Sequence, residues 1–263
     1  MGTAAIAFKD LGGSLARLPL AARLAMEDVH GKYRRTILGP LWIALGQAAT
    51  IAGFVLVYSN LFGVAPQSFA IFLSAGIPVW VLMASYLSDM PNTFIAERGV
   101  IESYELPWLL HVWRRSFSYI ILFVHHLLTF VVVMAIFHIE PTITMLYAIP
   151  GLLIVLFAGT GFGTFLAVVG ARYRDLQPAM AVASGFLFLF TPVMWHPEQL
   201  RPELSWAYQY NPLYYYISVV REPLLGRLPE PNVWIGAGIG AVVLFFLGFV
   251  AFLMGRRRLY HWL

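Results

Sequence analysis

The sequence predicts an all-α integral membrane protein. It reads as six transmembrane helices, an N-terminal amphipathic helix at the membrane surface, and two short helices that dip into the outer face between spans five and six. Three observations carry that expectation. Hydrophobic residues make up 60% of the 263 and charged residues only 11%, with a mean hydropathy of +0.74, whereas a soluble domain carries roughly 25% charge. Apolar runs of about twenty residues recur, the length at which a helix crosses a bilayer with its backbone polar groups satisfied internally. The cations, finally, are shared very unequally among the links.

The residues before the first run have a helical face. Ala22, Met26, Val29, Tyr33 and Ile37 recur at intervals of 4, 3, 4 and 4, with Arg23, Glu27, Asp28, Lys32, Arg34 and Arg35 on the other sides. The spacing predicts an amphipathic helix over residues 20–37, lying in the interface with its cations near lipid phosphates. It serves as a topology anchor or as a docking surface. Gly39-Pro40 then breaks the direction, since proline suits the first turn of a new helix. Residues 1–35 are dotted with charge and lack a short apolar core followed by a cleavage site, so the first run is expected to act as the insertion signal.

Six spans are expected, at about Pro40–Leu61, Phe69–Ser88, Ser116–Phe137, Ile143–Val169, Met180–Met194 and Trp234–Met254. The fifth is short and bracketed by Pro178 and Pro192. With both termini inside, 14 of 17 cations fall on the cytoplasmic side and only Arg201, Arg221 and Arg227 outside, in keeping with the positive-inside rule. The basic balance therefore expresses orientation and not affinity for nucleic acid. Gly159-Thr-Gly-Phe-Gly163 and Gly236-Ala-Gly-Ile-Gly240 mimic a nucleotide fingerprint. Each lies inside an apolar run and not after a strand, so both are read as close helix–helix contacts.

Several chemistries are excluded. There is no cysteine, so neither disulfides nor thiolate sites form. A GxxxxGK[ST] loop needs a lysine, and Lys9 and Lys32 are the only two; Lys32 is followed by Tyr33. His125-His126 is the one close pair among seven histidines, which suits buried hydrogen bonds and not a metal site. The runs carry no carboxylates of the kind that ion-driven transporters place at the midplane. Any work is powered from elsewhere.

Two polar links stand out. Residues 195–232 hold Trp195, Trp206, Tyr208, Tyr210, Tyr214, Tyr215 and Tyr216. Two helices are expected there, about Glu198–Tyr208 and Leu213–Leu225, hinged at Asn211-Pro212. Such rings suit the membrane interface and equally the C–H faces of sugars. Phe54, Tyr58 and Phe62 at i, i+4 and i+8, with Phe186 and Phe190 at i, i+4, form ordinary packing stripes or a greasy channel wall. The inner link, residues 89–115, mixes four acids with three arginines around an amphipathic middle. It is either a solvated loop or a contact with another protein.

Three ordered motifs then resemble one family. "KYRRTILGPLWI" (Lys32–Ile43), "RYRDLQPAM" with "FLFLFTPVMW" (Arg172–Met180, Phe186–Trp195) and "NPLYYYISVVREPLLG" (Asn211–Gly226) are similar to permease subunits of ABC-2 type exporters, the branch handling O-antigen, capsule and teichoic-acid polymers. The resemblance covers nearly the whole chain, read as a single domain, 1–263. It implies a homodimer in the bacterial inner membrane, both termini cytoplasmic, joined to two copies of a separate ATP-binding subunit. That subunit would hold ATP and Mg; no cofactor is expected on this chain, and no metal.

By resemblance, Met26, Val29, Lys32, Tyr33, Arg34 and Arg35 belong to the interface helix. Glu97, Arg98, Ile101, Tyr104, Glu105 and Pro107 form the coupling element, where the acids Glu102 and Glu105 depart from the commoner basic pattern. The outer helices are the re-entrant gate. Phe54, Tyr58, Phe62, Phe186, Phe190, Tyr214, Tyr215 and Tyr216 line the path of a lipid-linked polysaccharide. The rivals are an ABC-2 exporter of a small drug or glycolipid, and a membrane enzyme using His196, Glu198 or Glu203 on lipid-linked sugars.

Overall fold

A computed structural model describes the backbone of residues 3–263, with side chains from residue 4 onward except that of Phe62. Among the described residues all regular structure is helical. Two helices precede the first long run: α1 (Thr3–Ala16) and α2 (Leu18–Tyr33). The expected helix over 20–37 thus starts two residues sooner and stops four sooner. Arg35 at φ 73° and Gly39 at φ 57° take left-handed backbone and turn the chain. The packed face is also displaced. Ala21, Ala25 and Val29 are buried where α2 lies along α7, while Met26 is 44% and Ile37 fully exposed. Alanine lets two helices approach closely, so the small residues take the contact and the larger apolar ones are left outside.

The long helices follow. α3 (Leu41–Phe62) opens behind Gly39-Pro40 and closes on left-handed Gly63. α4 (Pro66–Ser88) is the most buried long helix and α3 the least. The inner link folds into a single turn, Met90–Asn92, and two short helices, α5 (Thr93–Ala96) and α6 (Arg98–Ser103). α7 (Leu109–Ile136) begins seven residues before the expected span, because Asp10 caps its amino end. α8 (Ala148–Arg172) continues from a turn at Ile143–Tyr147.

α9 (Leu176–Phe190) lies four residues upstream of the expected fifth span, its Pro178 in the first helical turn, where no amide hydrogen is needed. At 15 residues it is about 22 Å long. Among the described residues five helices are long and apolar enough to cross a membrane, and α9 is the shorter apolar one. The first outer helix does not form as expected. Residues 198–208 break into turns at Pro197–Gln199 and Pro202–Leu204 and one helical turn, α10 (Trp206–Gln209), since each proline starts its own turn. The second forms as α11 (Pro212–Leu224), its amino end capped by the Asn211 side chain, which accepts from Leu213 N at 3.0 Å. α12 (Pro231–Gly255) and α13 (Leu259–Trp262) complete the chain.

α8 is the hub, lying along α12, along α11 and against the Met90–Asn92 turn. In hydrocarbon, helix association rests on close packing and not on hiding apolar surface. Gly161 of α8 meets the backbone of Phe245, and Gly248 of α12 meets the carbonyl of Gly161; neither contact leaves room for a Cβ. Gly236 and Gly240 of α12 take the rings of Tyr215 and Tyr216, whereas Gly238 faces open space. Both glycine runs are therefore packing surfaces, as expected. Gly248→Leu should cost at least about 3 kcal/mol, seen as loss of monodisperse protein in detergent. Gly238→Leu should purify like wild type, and equal behaviour of the two variants would contradict this packing.

Candidate functional site: two aromatic cavities and an ionic girdle

At the end of the bundle where α9 passes into α11, a cavity of about 790 Å³ is lined by His196, Tyr208, Tyr214, Tyr215, Arg221 and Glu222, among others. Tyrosine rings step along it edge to face: Tyr208 to Tyr214 at 5.1 Å between centroids, and Tyr214 to Tyr215 at 5.5 Å. The Tyr215 hydroxyl donates to Gln209 O at 2.8 Å. Tyr216 points the other way and is buried on α12, because neighbouring positions on one helix face different sides.

Arg221 forms the floor. It is 1% exposed and donates through Nη1 to Pro192 O and through Nε to Glu222 Oε1 at 3.2 Å. Its guanidinium lies 4.3 Å from the Phe72 ring centroid. Glu222 also pairs with Arg227 at 3.0 Å. The His196 ring lies 3.8 Å from that of Phe72. Burial, then the charges of Arg221 and Arg227, push the His196 imidazole below the ordinary histidine range. Sequence reasoning counted Arg221 only as an outside cation. Ile217, Val220, Arg221 and Leu224 fall at i, i+3, i+4 and i+7, so the arginine sits inside an apolar helical stripe. That was the available signal.

His196 also borders a second cavity, of about 520 Å³, with Tyr58, Phe69, Phe188, Trp195 and Gln199. Phe54 and Tyr58 meet at 5.9 Å, and Tyr58 and Phe69 at 6.2 Å. Tyr58 is thus brought to this site with Phe54 behind it. The α9 pair is not: Phe186 and Phe190 are exposed on α9, and Phe188 lines the cavity instead. The Phe62 side chain lies outside the described residues. Of the residues considered for an enzyme, His196 and Glu198 line the larger cavity and Glu203 does not.

The opposite end carries an ionic girdle. Arg114 of α7 makes a bidentate pair with Asp28 of α2, at 2.7 and 2.6 Å, and donates to Glu97 Oε2 at 2.7 Å. His111 Nδ1 lies 3.5 Å from the same Glu97 oxygen. Asp10 of α1 accepts from the amides of Trp108 and Leu109, both at 3.0 Å, and pairs with Arg256 at 3.0 Å. The Arg256 guanidinium sits 4.9 Å from the Trp108 ring. Glu97 and Ile101 therefore turn inward, and Pro107 faces Gly13 of α1. Arg98, Tyr104 and Glu105 are exposed. Arg98 pairs with Glu102 at 2.7 Å and also donates to the carbonyl of Leu263. Lys32, Arg34 and Arg35 are likewise exposed.

A family model described as ABC-2 type transporter matches residues 24–225. Two relatives from Klebsiella pneumoniae, each described as an O-antigen export system permease protein RfbA, are similar to the chain. One is 23% identical over 196 residues and the other 21% over 189, each covering 71% of this chain and 73% of the relative.

Two outcomes follow from the geometry. Removing one member of a half-buried ion cluster strands the others, so Arg114→Ala should cost about 3 kcal/mol, read as a lowered melting temperature. Gln in place of Asn232, at an exposed pair, provides the neutral comparison. For His196, the folded chain takes up its proton later than the unfolded chain as pH falls. Stability is then full above about 6.5 and is lost as pH falls through that range toward the folded value. Wild type should therefore lose more thermal stability than His196→Gln between about pH 7.5 and about pH 5. Parallel curves would remove His196 as the source.

Proposed function

The chain belongs to the ABC-2 type transporter family, and from that premise we propose that it is the channel-forming half of an ATP-driven exporter of lipid-linked polysaccharide, most closely of O-antigen type. The observation that carries the cargo is the pair of adjoining aromatic cavities that share His196. Ring faces stack on sugar C–H groups while tyrosine hydroxyls and the Glu222–Arg227 pair meet sugar hydroxyls, with the buried Arg221 holding Glu222 in place. Such contacts are individually weak and tolerant of sequence, so a polymer slides. The two similar Klebsiella proteins are described as O-antigen permeases, which favours the polymer over a small drug or glycolipid.

In this reading six helices cross the inner membrane, with α9 as a short fifth span, α11 as the re-entrant gate, and both termini cytoplasmic. Two copies associate through faces that α3 and α9 leave uncovered, and two ATPase subunits, which hold ATP and Mg, dock beneath. Arg98, Tyr104 and Glu105 are the exposed coupling contacts. A push there passes through Glu97 to Arg114 and Asp28, and through Pro107 to α1. One displacement therefore moves α2 and α7 together. The chain itself performs no catalytic step.

Co-purification with a candidate ATPase subunit, followed by polymer export in cells, tests the reading. Tyr58→Ala removes a ring contact worth roughly 0.5–1.5 kcal/mol and should reduce export up to about tenfold with the complex intact. Tyr215→Ala should act similarly. Normal export in both variants discards the cavity assignment; turnover of lipid-linked sugar by the isolated chain without ATP replaces transport with enzymology.

A further inference from the structure

At the cation-rich end of the bundle, α8 and α12 part around a recess of about 610 Å³. Val169 and Met254 contribute to its apolar walls, and Arg172, Arg258, Tyr173 and Trp262 stand around its mouth. The Arg172 guanidinium lies 5.0 Å from the Tyr173 ring centroid and 5.6 Å from that of Trp262. Among the described residues neither arginine forms an ion pair, and no carboxylate lines the recess. This differs from the adjoining girdle, where Arg114 and Arg256 are both neutralised by acids.

We propose that this recess binds one anionic phospholipid, its phosphate on Arg172 and Arg258 and its acyl chains along Val169 and Met254. Charge complementarity and position together select this occupant. Guanidinium groups match phosphate oxygens in geometry and charge. Basic pockets between spanning helices on the cytoplasmic side favour anionic headgroups. Stacking on two rings holds Arg172 at the mouth without spending its charge, and rings with polar tips belong at headgroup depth. The site rests on the orientation given by the cations and not on the identity of the cargo. The aromatic cavities lie with α3, α4, α9, α11 and the first turn of α12, whereas the recess takes the last turns of α12, so it stands apart from the proposed export path.

The full chain, purified in detergent, is mixed with dioleoylphosphatidylglycerol or dioleoylphosphatidylcholine, and retained lipid is counted by native mass spectrometry. Wild type should keep one phosphatidylglycerol and no phosphatidylcholine. Arg172→Gln with Arg258→Gln should weaken that binding about thirtyfold, from two guanidiniums near one headgroup. Met254→Trp, which narrows the recess and keeps both charges, should also weaken binding, and it decides the matter if the double variant does not fold. Arg34→Gln with Arg35→Gln, on the exposed turn, should change nothing. Equal retention of phosphatidylcholine, equal loss in the Arg34/Arg35 control, or undiminished binding in the variants would overturn the assignment. Displacement by an equal amount of a polyprenyl phosphate would hand the recess to lipid-linked cargo instead.

Discussion

Helices surrounded by hydrocarbon gain little by covering one another's apolar faces, so this bundle depends on how deeply α8 is admitted by its neighbours. Four of its glycines are pressed against other segments where a side chain would collide. Gly151 meets the backbone of Val219 in α11, Gly161 meets Phe245 in α12, and Gly170 meets Pro91 in the turn after α4. Gly159 takes the face of the Tyr86 ring. α11, α12 and the turn after α4 are thus all registered against one helix. Shape complementarity at backbone range supplies what the hydrophobic effect supplies in water.

The end that carries the ionic girdle solves a different problem. Asp10, Asp28 and Glu97 are acids near apolar helix ends, where an unpaired charge costs several kcal/mol. Each is matched by an arginine or by amide hydrogens; Asp10 and Asp28 join segments far apart in sequence, α1 to α7 and α12, and α2 to α7, while Glu97 ties the link to the helix that follows it. The Asp10 carboxylate at the amino end of α7 also gains from the helix dipole. These pairs need not add much net stability. Their value is in register, because a shift of any one segment separates opposite charges. A link held in this way transmits displacement instead of absorbing it.

The long spans were readable because composition and length suffice in lipid. α3, α4, α7, α8 and α12 each appear within a few residues of expectation, apart from the early start of α7. That start was hidden because its cause, Asp10, lies 98 residues away from the amide it caps. The glycine runs were readable because nothing but packing explains three glycines in an apolar helix. Less readable was which side of a helix faces inward. Along α2, periodicity found a face built on Met26 and Tyr33, and the contact formed one position away on Ala21 and Ala25. Periodicity measures where apolar residues lie, and in a bilayer apolar residues suit the lipid side as well as the protein side. The same ambiguity hides that Phe188, and not Phe186 or Phe190, is the α9 ring beside Tyr58.

Arg221 shows what that ambiguity conceals. A guanidinium this deep in an apolar stripe is tolerated only where its hydrogens are used and its charge is answered. Pro192 O, Glu222 and the face of Phe72 do so, and the three come from the end of α9, from α11 itself and from α4. Asn211 adds a second tie across the same junction, donating to Thr191 Oγ1 at 2.9 Å. The carbonyl that Arg221 uses is one left free when the helix stops before Pro192. The shortness of α9, the depth of α11 and the buried arginine are therefore one arrangement. A longer α9 would keep its terminal carbonyls for itself, leave the cation unanswered and drive α11 out toward solvent. The early end of α9 is the condition for having a polar-floored aromatic cavity at all.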